Sequence, residues 1–162
     1  MSLHEVLTYE FATFLKVDTD FERMGEGIES LGLSYNPEVK ERGYVHEKTK
    51  RKTTTGYAPS FSLSQIAVVG DPVFDYLDGL RKKMAVGTEL KTEIMLVYIY
   101  SAKGSGYEAS KHTCSISINE FSGDAQDNMS ISYDVSVEGD MELGTATIAD
   151  GVATFVKDIP TP

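Results

Sequence analysis

Residues 130–138 read Ser-Ile-Ser-Tyr-Asp-Val-Ser-Val-Glu, and this alternation constrains the fold more than any other stretch of the chain. Ile131, Tyr133, Val135 and Val137 fall on one side of an extended backbone; Ser130, Ser132, Asp134, Ser136 and Glu138 fall on the other. A period of two marks a strand with one buried and one solvated face, and a helix cannot sort these residues that way. The pattern recurs along the chain. Residues 9–17 set Tyr9, Phe11, Thr13, Leu15 and Val17 on one side of a half-buried strand. Residues 57–69 alternate Phe61 and Leu63 with Ser60, Ser62 and Ser64, and residues 112–121 alternate Cys114, Ile116 and Ile118 with Ser115, Ser117 and Asn119. The step from Ile118 to Phe121 breaks the period and predicts a bulge.

The remaining β segments are less regular. Residues 89–100 predict a long strand whose second half, 94–100, is apolar on both faces, so something covers each side: the helix or a neighbouring subunit. Residues 28–35 predict a weaker strand. Residues 18–25 and 103–110, and the Gly139-Asp140 pair, read as turns. Residues 144–148 and 152–156, joined by Ala149-Asp150-Gly151, predict a terminal hairpin.

One helix stands among these strands. Asp71 suits the N-cap and Pro72 the first helical position. Val73, Leu77, Leu80 and Met84 form an apolar stripe. Asp75 and Asp78 lie early, Arg81, Lys82 and Lys83 late, which complements the helix dipole, and Gly87 supplies a stop. A single helix among seven or eight strands predicts a mostly β chain, an antiparallel sandwich or barrel with one flanking α-helix. With 162 residues, 41% of them hydrophobic, the expectation is a single domain spanning 1–162.

Residues 36–56 depart from the pattern. They open with Asn36-Pro37, close with Thr53-Thr54-Thr55-Gly56, and carry few large apolar side chains, which predicts a long loop or protruding hairpin. Charge is placed unevenly around it. The net charge is −10, yet residues 38–52 hold six Lys/Arg against three Asp/Glu, while the last 51 residues hold nine Asp/Glu and only Lys157. So acidic a chain is not built to grip nucleic acid, which takes a basic surface. A basic loop on an acidic body suits head-to-tail self-association, and equally a solvated loop.

Motifs for chemistry are missing. His4, His46 and His112 have no second histidine or cysteine at metal-ligand spacing, and each reads as an ordinary surface residue. Cys114, the one cysteine, reads as a small buried hydrophobe. Gly104-Ser105-Gly106 lacks the Gly-Lys-Ser/Thr ending and following helix of a phosphate loop. Asp124, Asp127, Glu138 and Glu142 lack the alternating ligands of a calcium loop. No nucleophile elbow occurs. The expectation is no enzyme, no catalytic residue, no metal and no cofactor. Residues 1–16 lack the basic start and apolar run of a signal peptide, and no apolar stretch is long enough for a bilayer, so no membrane binding is expected.

Residues 116–147, reading ISINEFSGDAQDNMSISYDVSVEGDMELGTAT, carry a strand, the Gly123-Asp124 turn, a strand containing Tyr133-Asp134-Val135, and a restart at Gly144-Thr145. This segment resembles the C-terminal half of the major tail (tail-tube) proteins of long-tailed bacteriophages, and the order of the other elements agrees with that family. The resemblance implies a structural subunit that forms six-membered rings stacked into a hollow tube. Strands of neighbouring subunits would join into an inner barrel, and the genome would pass from capsid to host cell through it. It implies a virion-tail location with assembly in the host cytoplasm. The partners would be further copies of the chain, other tail proteins, and phage DNA passing without sequence-specific contact. It places inter-ring contacts on the 36–56 loop, at Arg42, Lys48, Lys50, Arg51 and Lys52. The doubly apolar residues Ile94, Met95, Leu96, Val97 and Tyr98 are the expected subunit interface. Ser60, Ser62, Ser64, Ser132, Asp134 and Ser136 are expected on the lumen face or, equally, on an ordinary solvated sheet face, and residues 1–8 and 157–162 as flexible inter-ring arms. The competing expectations are a non-assembling β-barrel binding module, the tube subunit of a phage-tail-like injection system and, third, a hydrolase on a β scaffold.

Overall fold

The computed structural model describes residues 2–159. In chain order the elements are β1 (Phe11–Val17), β2 (Asp20–Arg23), β3 (Leu33–Ser34), β4 (Glu38–Arg42), β5 (Arg51–Gly56), β6 (Ser60–Ile66), α1 (Pro72–Lys82), β7 (Lys91–Lys103), β8 (Gly106–Ser122), β9 (Ser130–Ala149) and β10 (Val152–Lys157). Ten strands and one α-helix make the chain mostly β, as the alternation predicts. The strands β10-β2-β1-β7-β8-β9 pair in that order, and β9 returns to β10, closing a six-stranded barrel. Every ladder is antiparallel. The N-terminal half of β9 and the C-terminal half of β8 run on beyond the barrel. With β6 and the two-residue β3 they form a wing of the same sheet. β4 and β5 pair only with each other.

Two cores lie on opposite faces of this one sheet. Inside the barrel sit Phe14, Met95 and Val97 with four alanines, Ala12, Ala109, Ala146 and Ala153. Six strands enclose a narrow bore, and small side chains fill it around Phe14, with Phe21, Tyr107 and Phe155 packed against them. Gly144 belongs to the same fit: a Cβ there would stand 2.6 Å from the Phe155 ring and 2.3 Å from the Val156 carbonyl oxygen. On the other face, Leu15, Ile94, Leu96, Cys114, Ile116 and the wing residues Phe61, Leu63, Ile131, Tyr133 and Val135 pack under Val73, Phe74 and Leu77 of α1.

This arrangement changes four sequence expectations. Residues 9–17 are not half-buried: β1 is buried on both faces, because Phe14 faces the bore and Leu15 the helix, and Tyr9 lies exposed in a preceding 3-10 turn. Residues 18–25 are more than a turn, since after the Asp18-Thr19 reversal they hold β2, the strand that carries β10 and so closes the barrel. Gly139-Asp140 is a bend within one continuous strand β9, with Gly139 at φ 70°. Met84 leaves the helical stripe. The helix ends at Lys82, Met84 takes the left-handed conformation at φ 49°, and the Ala85 N–H bonds the Leu80 carbonyl at 3.1 Å, so Met84 and not Gly87 closes the helix.

Two further expectations shrink: the turn over 103–110 narrows to Gly104-Ser105 because β8 begins at Gly106, and the strand over 28–35 is reduced to β3 and a single bridge at Ile28. Several others hold. The Asp71 side chain accepts from the Phe74 N–H at 3.0 Å. The register of β8 against β9 slips between Ile118 and Glu120, where the broken period predicts a bulge. Ala149 pairs with Val152 across Asp150-Gly151, both at positive φ, as a two-residue hairpin turn requires. The structure also shows a buried polar link that periodicity does not reveal. Gln65, fully buried, donates to the Glu26 carbonyl at 3.0 Å and to Asp71 at 2.9 Å, and accepts from the Tyr133 hydroxyl at 3.2 Å. It ties the wing to the helix cap.

Candidate assembly surface

The wing presents a polar face opposite its core. Ser60 pairs with Ser136, Ser62 with Asp134 and Ser64 with Ser132 across β6 and β9. Paired residues in an antiparallel ladder share a face, so all six residues anticipated as lumen-facing lie in one patch. β8 widens it: Ser115 pairs with Ser136, Ser117 with Asp134, and the Asn119 amide donates to Asp134 at 3.1 Å. These three residues were not anticipated on the patch, although the alternation of residues 112–121 carries their signal. Asp134 is the only charged group among the nine.

The wing also has two open strand edges. β7 begins at Lys91, opposite Ser115, so residues 116–122 of β8 have no strand on that side. On its outer side β6 meets only Leu33, Ser34 and a single bridge from Ile28 to Gln65, leaving residues 62–64 unpaired there. The two edges flank the polar face from opposite sides.

The residues expected as an interface on β7 are covered within the chain. Ile94, Met95, Leu96 and Val97 are 0–3% exposed. β1 and β8 take both edges of the strand, the helix-covered core takes Ile94 and Leu96, and the bore takes Met95 and Val97. The double apolarity is satisfied within the chain, and no surface remains for a neighbour. Tyr98 is the exception: half-buried, it packs against Phe11 and Tyr100 at 5.8 Å between ring centres, and burial raises its phenol above the usual range.

Residues 36–56 form a hairpin that stands off the body. Every residue of β4, and β5 up to Thr55, is exposed. Its base is clamped: the Ala58 N–H bonds the Tyr35 carbonyl at 3.0 Å, and the Asn36 amide reaches the Ala58 carbonyl at 3.0 Å and the Ser60 hydroxyl at 3.2 Å. Three of the five anticipated contact cations are already engaged. Arg51 grips Glu47 through both Nε and Nη2 and lies 5.4 Å from the Tyr44 ring centre. Lys52 and Lys50 reach Glu41 at 3.3 and 3.9 Å. Among the described residues Lys40, Arg42 and Lys48 have no carboxylate partner. At the tip Val45 is fully exposed beside Tyr44.

A groove opens at the hairpin base. Tyr35, Pro59, His112, Val137 and Met141 line it throughout; Tyr57 and Asp140 border one end, Tyr98, Tyr100, Leu143 and Glu108 the other. Burial holds His112 below the ordinary histidine range. Among the described residues the Glu108 carboxylate accepts only from Ser101, and neither Glu108 nor Asp140 has a cation partner.

Groups for chemistry stay apart. His4 pairs with Glu10, His46 stacks on Tyr44, and His112 bonds Ser110 at 3.0 Å. Cys114 is buried, its thiol pushed up to about 12. Gly104-Ser105 is a tight turn between β7 and β8. Glu138 and Glu142 are held by Lys91 and Lys111 at 3.2 Å each. Among the described residues no cluster of three His, Cys, Asp or Glu is placed to hold a metal, and no helix is long and apolar enough to cross a membrane. Of the anticipated arms, residue 1 and residues 160–162 lie outside the described residues.

The sequence matches no family model, and none of the curated proteins matches it. Solved structures do resemble it. A chain in the tail of an empty gene transfer agent particle, computed with helical refinement in C6 symmetry, superposes with a TM-score of 0.62 at 13% identity, covering 85% of this chain and 97% of that one. A chain of the native gene transfer agent virion gives 0.61 at 12% identity, covering 86% and 98%. A chain of the anti-feeding prophage cap, which terminates the tube, gives 0.54 at 16% identity, covering 90% and 95%. At these identities the likeness is one of fold: this chain, a six-stranded barrel with a strand wing and one helix, has the fold of these tail, virion and tube-cap chains.

Proposed function

We propose that this chain is a structural subunit of a phage-type tail tube. Copies join side by side through their wing edges into six-membered rings, and the rings stack into a channel for genome delivery. The observation that carries this reading is the wing: a polar, weakly acidic sheet face flanked by two open edges on opposite sides. An open edge invites pairing with another chain. When the β8 edge of one copy pairs with the β6 edge of the next, the contact is head-to-tail, and such contacts close into a ring if the rotation allows. Six is the ring size suggested by the symmetry of the gene transfer agent tail.

Ring closure turns the nine polar residues toward the lumen. Serine hydroxyls and one carboxylate per subunit give DNA no cationic grip, so it slides rather than sticks. The hairpin reaches the next ring, other tail proteins cap the stack, and the tube sits in the virion tail after assembly in the host cytoplasm. The filled bore speaks against a β-barrel binding module, because Phe14, Met95, Val97 and the alanines occupy it. The tube of a phage-tail-like injection system uses the same surfaces with a different cargo, a reading supported by the likeness to the anti-feeding prophage cap.

Negative-stain microscopy and sedimentation of the purified protein test this. Six-fold rings or tubes are expected, and a strict monomer at every concentration would count against the proposal. Placing a lysine at Ser62 and at Ser117, on the polar face, should leave rings intact while making them retain DNA at low salt. Rings that ignore DNA in that variant would remove the lumen assignment.

A further inference from the structure

The groove at the hairpin base has the features of a receptor, and the hairpin tip those of its ligand. Tyr57, Met141 and Leu143 are 66, 58 and 50% exposed, and with Tyr35 and Tyr100 they form a patch of apolar surface that no element of the chain covers. Isolated exposed apolar residues need no explanation, but a contiguous aromatic groove marks an interaction site. Glu108 and Asp140 at its two ends have no cation partner among the described residues. The hairpin tip offers the complement. Val45 is fully exposed beside Tyr44, and Lys40, Arg42 and Lys48 carry three charges without carboxylate partners.

A chain cannot join its own two parts. Val45 lies in the turn beyond β4, whose residues Glu38–Arg42 stay paired with β5 out to Arg51. At ~3.3 Å per residue that ladder alone sets the tip more than roughly 15 Å from the groove its hairpin grows from. A second copy displaced by that distance along the hairpin places its groove at the tip. The contact joins unlike surfaces, so it repeats without closing and builds a stack.

We infer that the tyrosine groove is the docking site for the hairpin tip of a second copy of this chain, with Val45 and Tyr44 in the groove and the cations facing Glu108 and Asp140. The inference rests on the tube reading and gives its stacking contact an acceptor. Aromatic anchors at the centre with charges at the rim follow the usual anatomy of an interface, in which the buried aromatics carry most of the energy and the charges set partner choice.

Paired cysteines test it. In the double variant Val45→Cys/Met141→Cys, mild oxidation should give a ladder of covalent oligomers on a denaturing gel, whereas each single variant yields dimers at most. Cys114 is buried and does not compete. Val45→Asp should shorten tubes to single rings with an unchanged thermal midpoint, and Lys48→Glu should weaken stacking at least tenfold, with partial rescue by Asp140→Lys. Tubes of normal length in Val45→Asp, or no ladder from the double variant, would overturn the groove assignment. A wild-type protein that forms no tubes while the double variant still gives a ladder would keep the groove and discard the tube.

Discussion

β7 and the β4–β5 hairpin sit at opposite ends of one scale. From Ile94 to Val97 the strand has both edges paired and both faces packed, one against α1 and one inside the bore. The hairpin touches the body only at its base and exposes nearly every side chain. Burial that is complete within the chain leaves nothing to offer a partner. Surface that makes no contribution to the fold is where assembly can act without altering stability. The most hydrophobic segment is thus the poorest candidate for an interface here, and one of the most hydrophilic is the better one.

Breaking β7 should have the largest effect. Leu96→Asp sets a carboxylate in the helix-covered core with no partner, a change that costs upward of about 4 kcal/mol. Loss of the cooperative urea transition is the expected result. A folded Leu96→Asp monomer that merely fails to assemble would restore β7 as an interface. Next in size, Phe14→Ala empties the centre of the bore and should lower stability by about 3–5 kcal/mol, read as a shift of the urea midpoint. A shift below about 1 kcal/mol would mean that the alanine-lined barrel collapses onto the void.

The hairpin should behave in the opposite way. Removing residues 48–52 should move the unfolding free energy by less than about 0.5 kcal/mol, the usual range for surface changes, yet abolish tubes by negative-stain microscopy. Normal tubes would take stacking away from this element. The smallest effect concerns the N-terminal segment. The Leu7 N–H bonds the Glu10 carboxylate at 2.7 Å and His4 reaches it at 2.8 Å, and these contacts, the backbone bond first, hold the carboxyl below its usual range. Their contribution is present above the ordinary glutamate pKa and is lost as pH falls through the lowered one. The protection factor of the Leu7 amide, taken relative to its intrinsic rate at each pH, should therefore fall in acid before that of any core amide, and a simultaneous fall would mean that this turn is part of the cooperative unit.

Some of this was legible in the residues alone. The alternation of Ile131, Tyr133, Val135 and Val137 fixes a strand and its buried face, because only a two-residue period sorts them. The Asp71-Pro72 start marks the helix, because capping chemistry is local. The bulge after Ile118 and the Asp150-Gly151 turn are legible for the same reason. What no local rule could decide is which sheet face closes on itself. The six-strand closure through β2 and β10 pairs residues more than 125 positions apart, Glu22 with Val152 and Phe21 with Ala153. That closure buries Ala12, Phe14, Met95 and Val97, making Ile94–Val97 core instead of interface. It likewise leaves the edges of β8 and β6 open, since the wing strands outrun the barrel. The sequence by itself determined the strands, the helix and the charge contrast, because each depends on neighbours in the chain. The tertiary structure decided which apolar faces find cover inside the molecule and which polar faces and edges remain open, because that depends on which distant strands meet.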